Sequence, residues 1–242
     1  MKRNNWARNE LILAINLYCK TPFGSIHQHN PDVINLARLI GRSPGAVAWK
    51  MCNFASIDPS LDRKGASNVS KLDIQIWNEF FNSWEQLIFE SEVLLHSIDN
   101  NLKTIPEGKE KEKVIRARVN QNFFRQSVLA SYGYKCCITG ININELLVSS
   151  HIIPWAQDAK NRLNPCNGLC LNALHDKAFD RGLLTITDDF RVQLSPRIKK
   201  GNVNESIQNF FFEYDGKTIS LPSRFLPDRN FLEYHRGEIF IS

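Results

Sequence analysis

In the N-terminal part of the chain the apolar residues recur at the spacing of a helix, not in alternation. In "WARNELILAINLYCK" Leu11, Ile12, Ala14, Ile15 and Tyr18 share one face, with Asn4 or Asn5 placed to cap it. After a loop rich in proline, glycine and histidine, "PDVINLARLIG" repeats the period through Val33, Ile34, Leu36, Ala37, Leu39 and Ile40, and Gly41 ends it. Ser43 then offers an N-cap, Pro44 suits the first helical position, and "GAVAWKMCNFASI" follows. Helix, short glycine-containing turn and helix make the pattern of a helix-turn-helix. On its second helix Val47, Met51 and Phe54 form the docking face, so Ala46, Lys50 and Asn53 are expected on the opposite one, with Arg42 just before the helix. Asparagine pairs bidentately with adenine and lysine reaches guanine or phosphate, which makes Arg42, Lys50 and Asn53 candidate DNA-binding residues. A plain helical hairpin with a solvated face fits the same pattern. "IWNEFFNSWEQLIFESEVLLHSI" predicts one long helix closing this domain, with Trp77, Phe80, Phe81 and Trp84 at helical spacing and therefore in a core.

Residues 99–113, "DNNLKTIPEGKEKEK", are polar and charged and predict a linker. A helix over "EKVIRARVNQNFFRQSVLASYG" comes next, with Arg118, Gln121 and Arg125 on one face, where the arginines can grip DNA phosphate or join a structural network. Beyond it the period shortens, and "LLVSSHII", "GLLTIT", "RVQLS" and "KTISLP" read as strands. The expected organisation is a helical domain over residues 1–105 and an α+β domain over 106–242.

Charge sharpens this picture. The chain of 242 residues carries a net charge of +5, and residues 1–71 alone hold ten Lys/Arg against four Asp/Glu, so the basic surplus sits in the first third. Nucleic acid is the partner such a surplus suggests, although modest positive charge also occurs on proteins that bind nothing acidic. The six cysteines are scattered, and neither Cys137 nor Cys170 has a second thiol at the spacing of a zinc knuckle, so no structural zinc is expected. No apolar run has the length of a membrane span and the first residues lack the apolar core of a signal peptide, which gives a cytoplasmic protein as the expectation.

The chemistry concentrates in "SSHIIPWAQDAKNRLNPCNGLCLNALHDKAFDRG", residues 149–182. His151 ends a predicted strand, Asn167 lies in the turn "NPCNGL", and His175 opens the short helical stretch "HDKAFD". With "SHIIPW", "HDKAFDRG", Thr139-Gly140 and Gly168-Leu169, this order resembles the HNH endonucleases, in the restriction-like branch. "RVNQNFFRQSVLASYGYKCCITG" before the finger and "YDGKTISLP" and "FLEYHRGEIF" after it extend the resemblance over residues 114–242. The resemblance implies an HNH (ββα-metal) nuclease domain, which with the helix-turn-helix-type helical domain read before it gives α+β as the expected fold class. It also implies a catalytic His151, an orienting Asn167 and a divalent metal on His175.

Phosphodiester hydrolysis needs a base against water and a cation beside the phosphate. An imidazole is neutral and available near physiological pH, which suits His151 as general base. Many HNH enzymes carry a metal-binding Asp or His just before the base, but here Ser150 stands there, a poor ligand for a hard cation. Asp180 or Asp176 can supply the missing carboxylate, and salt bridges to Lys177 or Arg181 are their alternative role. The expected function is thus a metal-dependent DNA endonuclease of restriction type, using Mg²⁺ or Mn²⁺ on double-stranded DNA as a homodimer, with site choice in the N-terminal domain. A DNA-binding regulator with an inactive finger and a non-specific nuclease effector are the alternatives. His27, His29, His96 and His235 have no partner pattern and receive no role.

Overall fold

Each of the first helices starts where a side chain can satisfy its free amides. α1 (Arg8–Lys20) begins after Ala7, whose amide donates to Glu10 at 2.7 Å, so this cap comes from within the helix and not from Asn5, while Asn4 lies outside the described residues. Asn30 caps α2 (Pro31–Leu39) through Asp32 N, and Ser43 caps α3 (Pro44–Ile57) through Ala46 N, each with proline at the first position. The computed structural model describes residues 5–61, 68–81, 83–99, 109–201 and 204–242, with the side chains of 99 and 109–118 excepted. α4 (Lys71–Phe80) and α5 (Trp84–Asp99) replace the single long helix expected here. The break has a local cause, because the Ser83 carbonyl accepts from Gln86 N and Leu87 N and so starts a new helix.

The chain forms two compact units, Met1–Ser127 and Val128–Ser242, which meet within α6 (Lys109–Ser131). The boundary expected at 105/106 lies outside the described residues. In the first unit α1 is the central rod, packed on α2, α3, α4 and α5 with Leu11, Ile12, Ala14, Ile15 and Tyr18 buried. Tyr18, Phe54 and Trp77 meet edge-on or stacked with centroids 5.7–6.2 Å apart, and Phe80 and Trp84 are buried as well. These rings are core, as their spacing predicts.

The second unit begins with the last turn of α6 and a tight turn over Cys136–Ile141, in which Gly140 takes φ +74° and its amide donates to Cys136 O. β1 (Leu147–His151) and β2 (Gly168–Asn172) pair antiparallel with His151 opposite Gly168, and α7 (Ala173–Asp180) follows β2 directly. β3 (Leu184–Ile186) and β4 (Val192–Leu194) form a second hairpin. "KTISLP" is not a strand of its own but borders that hairpin through the Arg191–Thr218 bridge. The short helices α8 (Pro196–Lys199), α9 (Glu205–Phe210) and α10 (Arg229–Tyr234) complete the unit. No helix among the described residues is long and apolar enough to cross a membrane.

Candidate active site: a ββα finger

His151 is the last residue of β1, and two loops hold it. Its Nε2 lies 2.9 Å from the Arg162 carbonyl. A carbonyl only accepts, so Nε2 carries the proton and Nδ1 is the basic nitrogen. The Trp155 ring meets the imidazole edge-on at 5.6 Å, and the Arg162 guanidinium lies over Trp155 in turn. Burial holds the His151 pKa below its usual 6.5, against the hydrogen bond to Arg162 and the charge of Asp176, which raise it. The ring is therefore neutral at physiological pH, as a general base requires.

Asn167 is fully buried and explains that position. Its Oδ1 accepts from Ile153 N at 2.8 Å, its Nδ2 donates to Ile153 O at 3.1 Å and to Asn161 O at 3.4 Å, and its own carbonyl accepts from Ile152 N. One amide thus pins the chain just after His151 and also the loop just before Arg162, whose carbonyl orients the ring. Asp158 shapes the same loop by accepting from the backbone of Lys160 and Asn161 and from the Asn161 side chain. Sequence reading missed Asp158, although "DAKN" is the kind of Asx turn that signals such a loop.

His175 occupies a different environment. It is 1% exposed, its Nε2 donates to Phe210 O at 2.6 Å, and its Nδ1 accepts from the Asn172 amide at 3.1 Å. Asn172 also caps α7 through His175 N and reaches Thr139 and Cys136. Phe211 and Tyr214 close over the ring edge-on. Burial pushes the Cys136 thiol up, but hydrogen bonds with His175, Thr139 and the backbone bring it down to about 7. The metal role that resemblance implies for His175 would require one of these hydrogen bonds to be given up, because Nε2 carries a proton and the Nδ1 lone pair accepts from Asn172.

The carboxylates lie on the other side of α7. Burial raises the Asp176 carboxyl, a hydrogen bond from the Ser150 hydroxyl lowers it, and the charge of Asp180 raises it again, while Lys177 and His151 act on it through their charges. The Asp180 carboxyl is also raised by burial. Among the described residues no three His, Cys, Asp or Glu side chains gather as a metal cluster. Two carboxylates still fit a hard cation, since Mg²⁺ keeps several waters and takes its remaining oxygens from substrate phosphate.

The other candidate DNA-binding residues are placed as follows. Lys50 is 6% exposed and its Nζ bonds both Asp73 oxygens at 2.9 and 2.8 Å. Asn53 is buried and donates to Asn68 O. The expectation that both face outward is corrected: α3 packs on α4 as well as on α1 and α2, so its outer face carries Gly45, Trp49, Cys52 and Ser56. Arg42 bonds Glu10 twice and the Asn5 carbonyl and lies over Trp6. Arg125 is half-buried on α6, and the Arg118 side chain lies outside the described residues.

An antiparallel hairpin ending in a polarised histidine, a loop-locking asparagine and a helix laid directly after the hairpin define the class as a ββα nuclease finger. Residues 136–187 match the HNH endonuclease family model, and the chain carries an HNH endonuclease domain there. No curated protein matches the chain. Among solved structures, a modification-dependent TagI restriction endonuclease is similar with a TM-score of 0.32 and 20% identity over 48% of this chain. This chain spans 37% of that structure's length.

Proposed function

We propose that the protein is a divalent-metal-dependent endonuclease that hydrolyses phosphodiester bonds of double-stranded DNA, as a restriction-type enzyme. The observation that carries this reading is the His151 ring, held by the Arg162 carbonyl so that Nδ1 is the basic nitrogen and kept neutral by burial. Nδ1 takes a proton from water as the water attacks phosphorus, while Asn167 keeps the ring from rotating away. Asp180, on the helix beside the base, is the ligand for a cation. When bound, that cation neutralises charge on the phosphate and on the leaving oxygen.

The basic surplus of residues 1–71 supports site choice by the N-terminal unit, through groups other than the buried Lys50 and Asn53. One finger cuts one strand, so double-strand cleavage calls for a homodimer. The test is incubation of the protein with modified and unmodified plasmid under Mg²⁺, Mn²⁺ or chelator, followed by sequencing of the ends. Cleavage should require metal and vanish in His151→Ala with DNA binding retained. Near wild-type turnover in that variant would remove His151 as the base. The engaged nitrogens of His175 favour a second reading, a DNA-binding regulator with an inactive finger, which requires intact plasmid under every metal.

A further inference from the structure

The loop between β1 and β2 does more than hold the base. It is tied along its length: Gln157 N donates to the Pro154 carbonyl, Asp158 accepts from the amides of Lys160 and Asn161, and the Asn161 carbonyl accepts from Asn164 N and from the Asn167 side chain. Tyr234 of α10 reaches the Gln157 side chain as well. A loop fixed in this way carries its side chains in set positions, and Arg162 is one of them. Its Nε donates to the Ala159 carbonyl at 2.9 Å, and its guanidinium lies over the Trp155 ring with Cζ 5.3 Å from the centroid. Trp155 in turn meets His151 edge-on at 5.6 Å, so the base and the guanidinium flank one indole.

The guanidinium is oriented but not neutralised. Arg191 and Arg236, in the same unit, bond Asp189 and Asp188, and Arg224 is fully buried. Arg162 is half-exposed, and among the described residues no carboxylate pairs with it; Asp158, the carboxylate of its own loop, accepts from Lys160 and Asn161 instead. Stacking occupies the flat face of a guanidinium and leaves its edge N–H groups in the fork that fits two oxygens of a phosphate. A side chain held in advance also loses little rotamer freedom on binding. Phosphates of one strand recur about every 3.4 Å along the axis of a duplex, so a strand with its scissile phosphate at His151 carries further phosphates past the loop. The Arg162 carbonyl takes the proton on Nε2, and the basic Nδ1 lies on the opposite side of the ring. The guanidinium therefore meets a neighbouring phosphate and not the one that is cut.

We infer that the Arg162 guanidinium, stacked on Trp155, binds a backbone phosphate next to the scissile one and so sets the strand against His151. This rests on the nuclease reading above. Arg162 then acts twice, with its carbonyl orienting the base and its side chain orienting the DNA, so that one residue fixes both in relation to each other.

The test measures binding of the full chain to a fluorescent DNA duplex by anisotropy, in chelator so that nothing is cut, over a series of salt concentrations, with thermal unfolding followed in parallel. Arg162→Gln should weaken binding about tenfold at low salt and lower the salt slope by about one, with the unfolding midpoint unchanged. Arg162→Lys keeps the charge and should keep the slope, while the loss of the fork weakens binding by a smaller factor, about threefold. Arg191→Gln, which removes a cation already paired with Asp189, should leave the slope as it is. A guanidinium that only braces Trp155 gives the opposite result, a lowered midpoint in Arg162→Gln with the wild-type slope. That result, an Arg162→Gln that does not fold, an equal fall of the slope in Arg191→Gln, or no binding by the wild type overturns the inference. Cleavage of the same duplex under Mg²⁺ separates the two readings. A wild type that cuts, with an unchanged slope in Arg162→Gln, rejects the phosphate contact and keeps the nuclease; a slope lower by one in a protein that cuts nothing keeps the contact and rejects the nuclease.

Discussion

Lys50 shows how a residue's meaning depends on what it meets. In the sequence it is a cation on a helix face that looks free. In the fold it is the buried partner of Asp73, whose carboxylate also accepts from the Ser70 amide at the start of α4. Removing one member of a buried pair leaves the other charged and without water, so Lys50→Ala should destabilise the protein by about 3–5 kcal/mol. Chemical denaturation checks this; an unchanged unfolding midpoint together with weakened DNA binding would restore Lys50 as a DNA contact. Asn167 is the contrary case. Its place in the motif indicates an orienting role, and its bonds to Ile153 and Asn161 supply the means.

At the scale of elements, the glycine of "FDRG" and the unassigned His235 turn out to fasten the end of the chain to the finger. Gly182 follows α7 with φ +64°, and a Cβ there would lie 2.0 Å from the Ile239 carbonyl oxygen. Gly182→Ala should therefore cost at least about 2 kcal/mol, read from thermal unfolding. A neutral effect would mean that the C-terminal segment does not close on this turn. His235 stacks on Phe179 at 3.6 Å, its Nε2 donates to the Phe179 carbonyl, and its Nδ1 accepts from Thr185. Burial pushes its pKa from the ordinary 6.5 down to about 4. The unfolded chain thus binds the proton first. Stability is full above pH 6.5 and falls as pH drops from there toward 4, by an amount on the order of 3 kcal/mol. His235→Gln should flatten that part of the stability profile, and an unchanged slope would assign the acid sensitivity to other groups.

For the whole molecule, the proposed division of labour follows from where the chemistry lies. His151, Asn167, Asp176 and Asp180 all belong to the unit Val128–Ser242, which buries a core of its own around Leu169, Leu171, Phe179, Leu184 and Phe225. A fragment of residues 106–242 should cut plasmid DNA more weakly than the full chain and with little site preference. Cleavage mapping checks this, and a fragment that keeps full specificity would move the reader of the site out of the N-terminal unit.

The sequence by itself determined most of the elements and the order of the chemistry, but not the break between α4 and α5 or the lack of a strand at "KTISLP". Helical spacing, Ser43 with Pro44, the glycines and the His151, Asn167, His175 series are local signals, and local signals fix where helices start and which turn precedes which strand. Only the tertiary structure decided which way those side chains face. Periodicity gives a helix one buried stripe, but α3 is packed on more than one side, so Lys50 and Asn53 turn inward. His175 and Asp176 are neighbours in the chain and lie about 100° apart on α7. The contacts of α7 with β1 and β2 and the reach of the Phe210 carbonyl sent the histidine to the core and the aspartate toward His151. A burial partner far along the chain leaves no trace in local spacing, and that partner determines whether a polar group is a ligand, a base or a buttress.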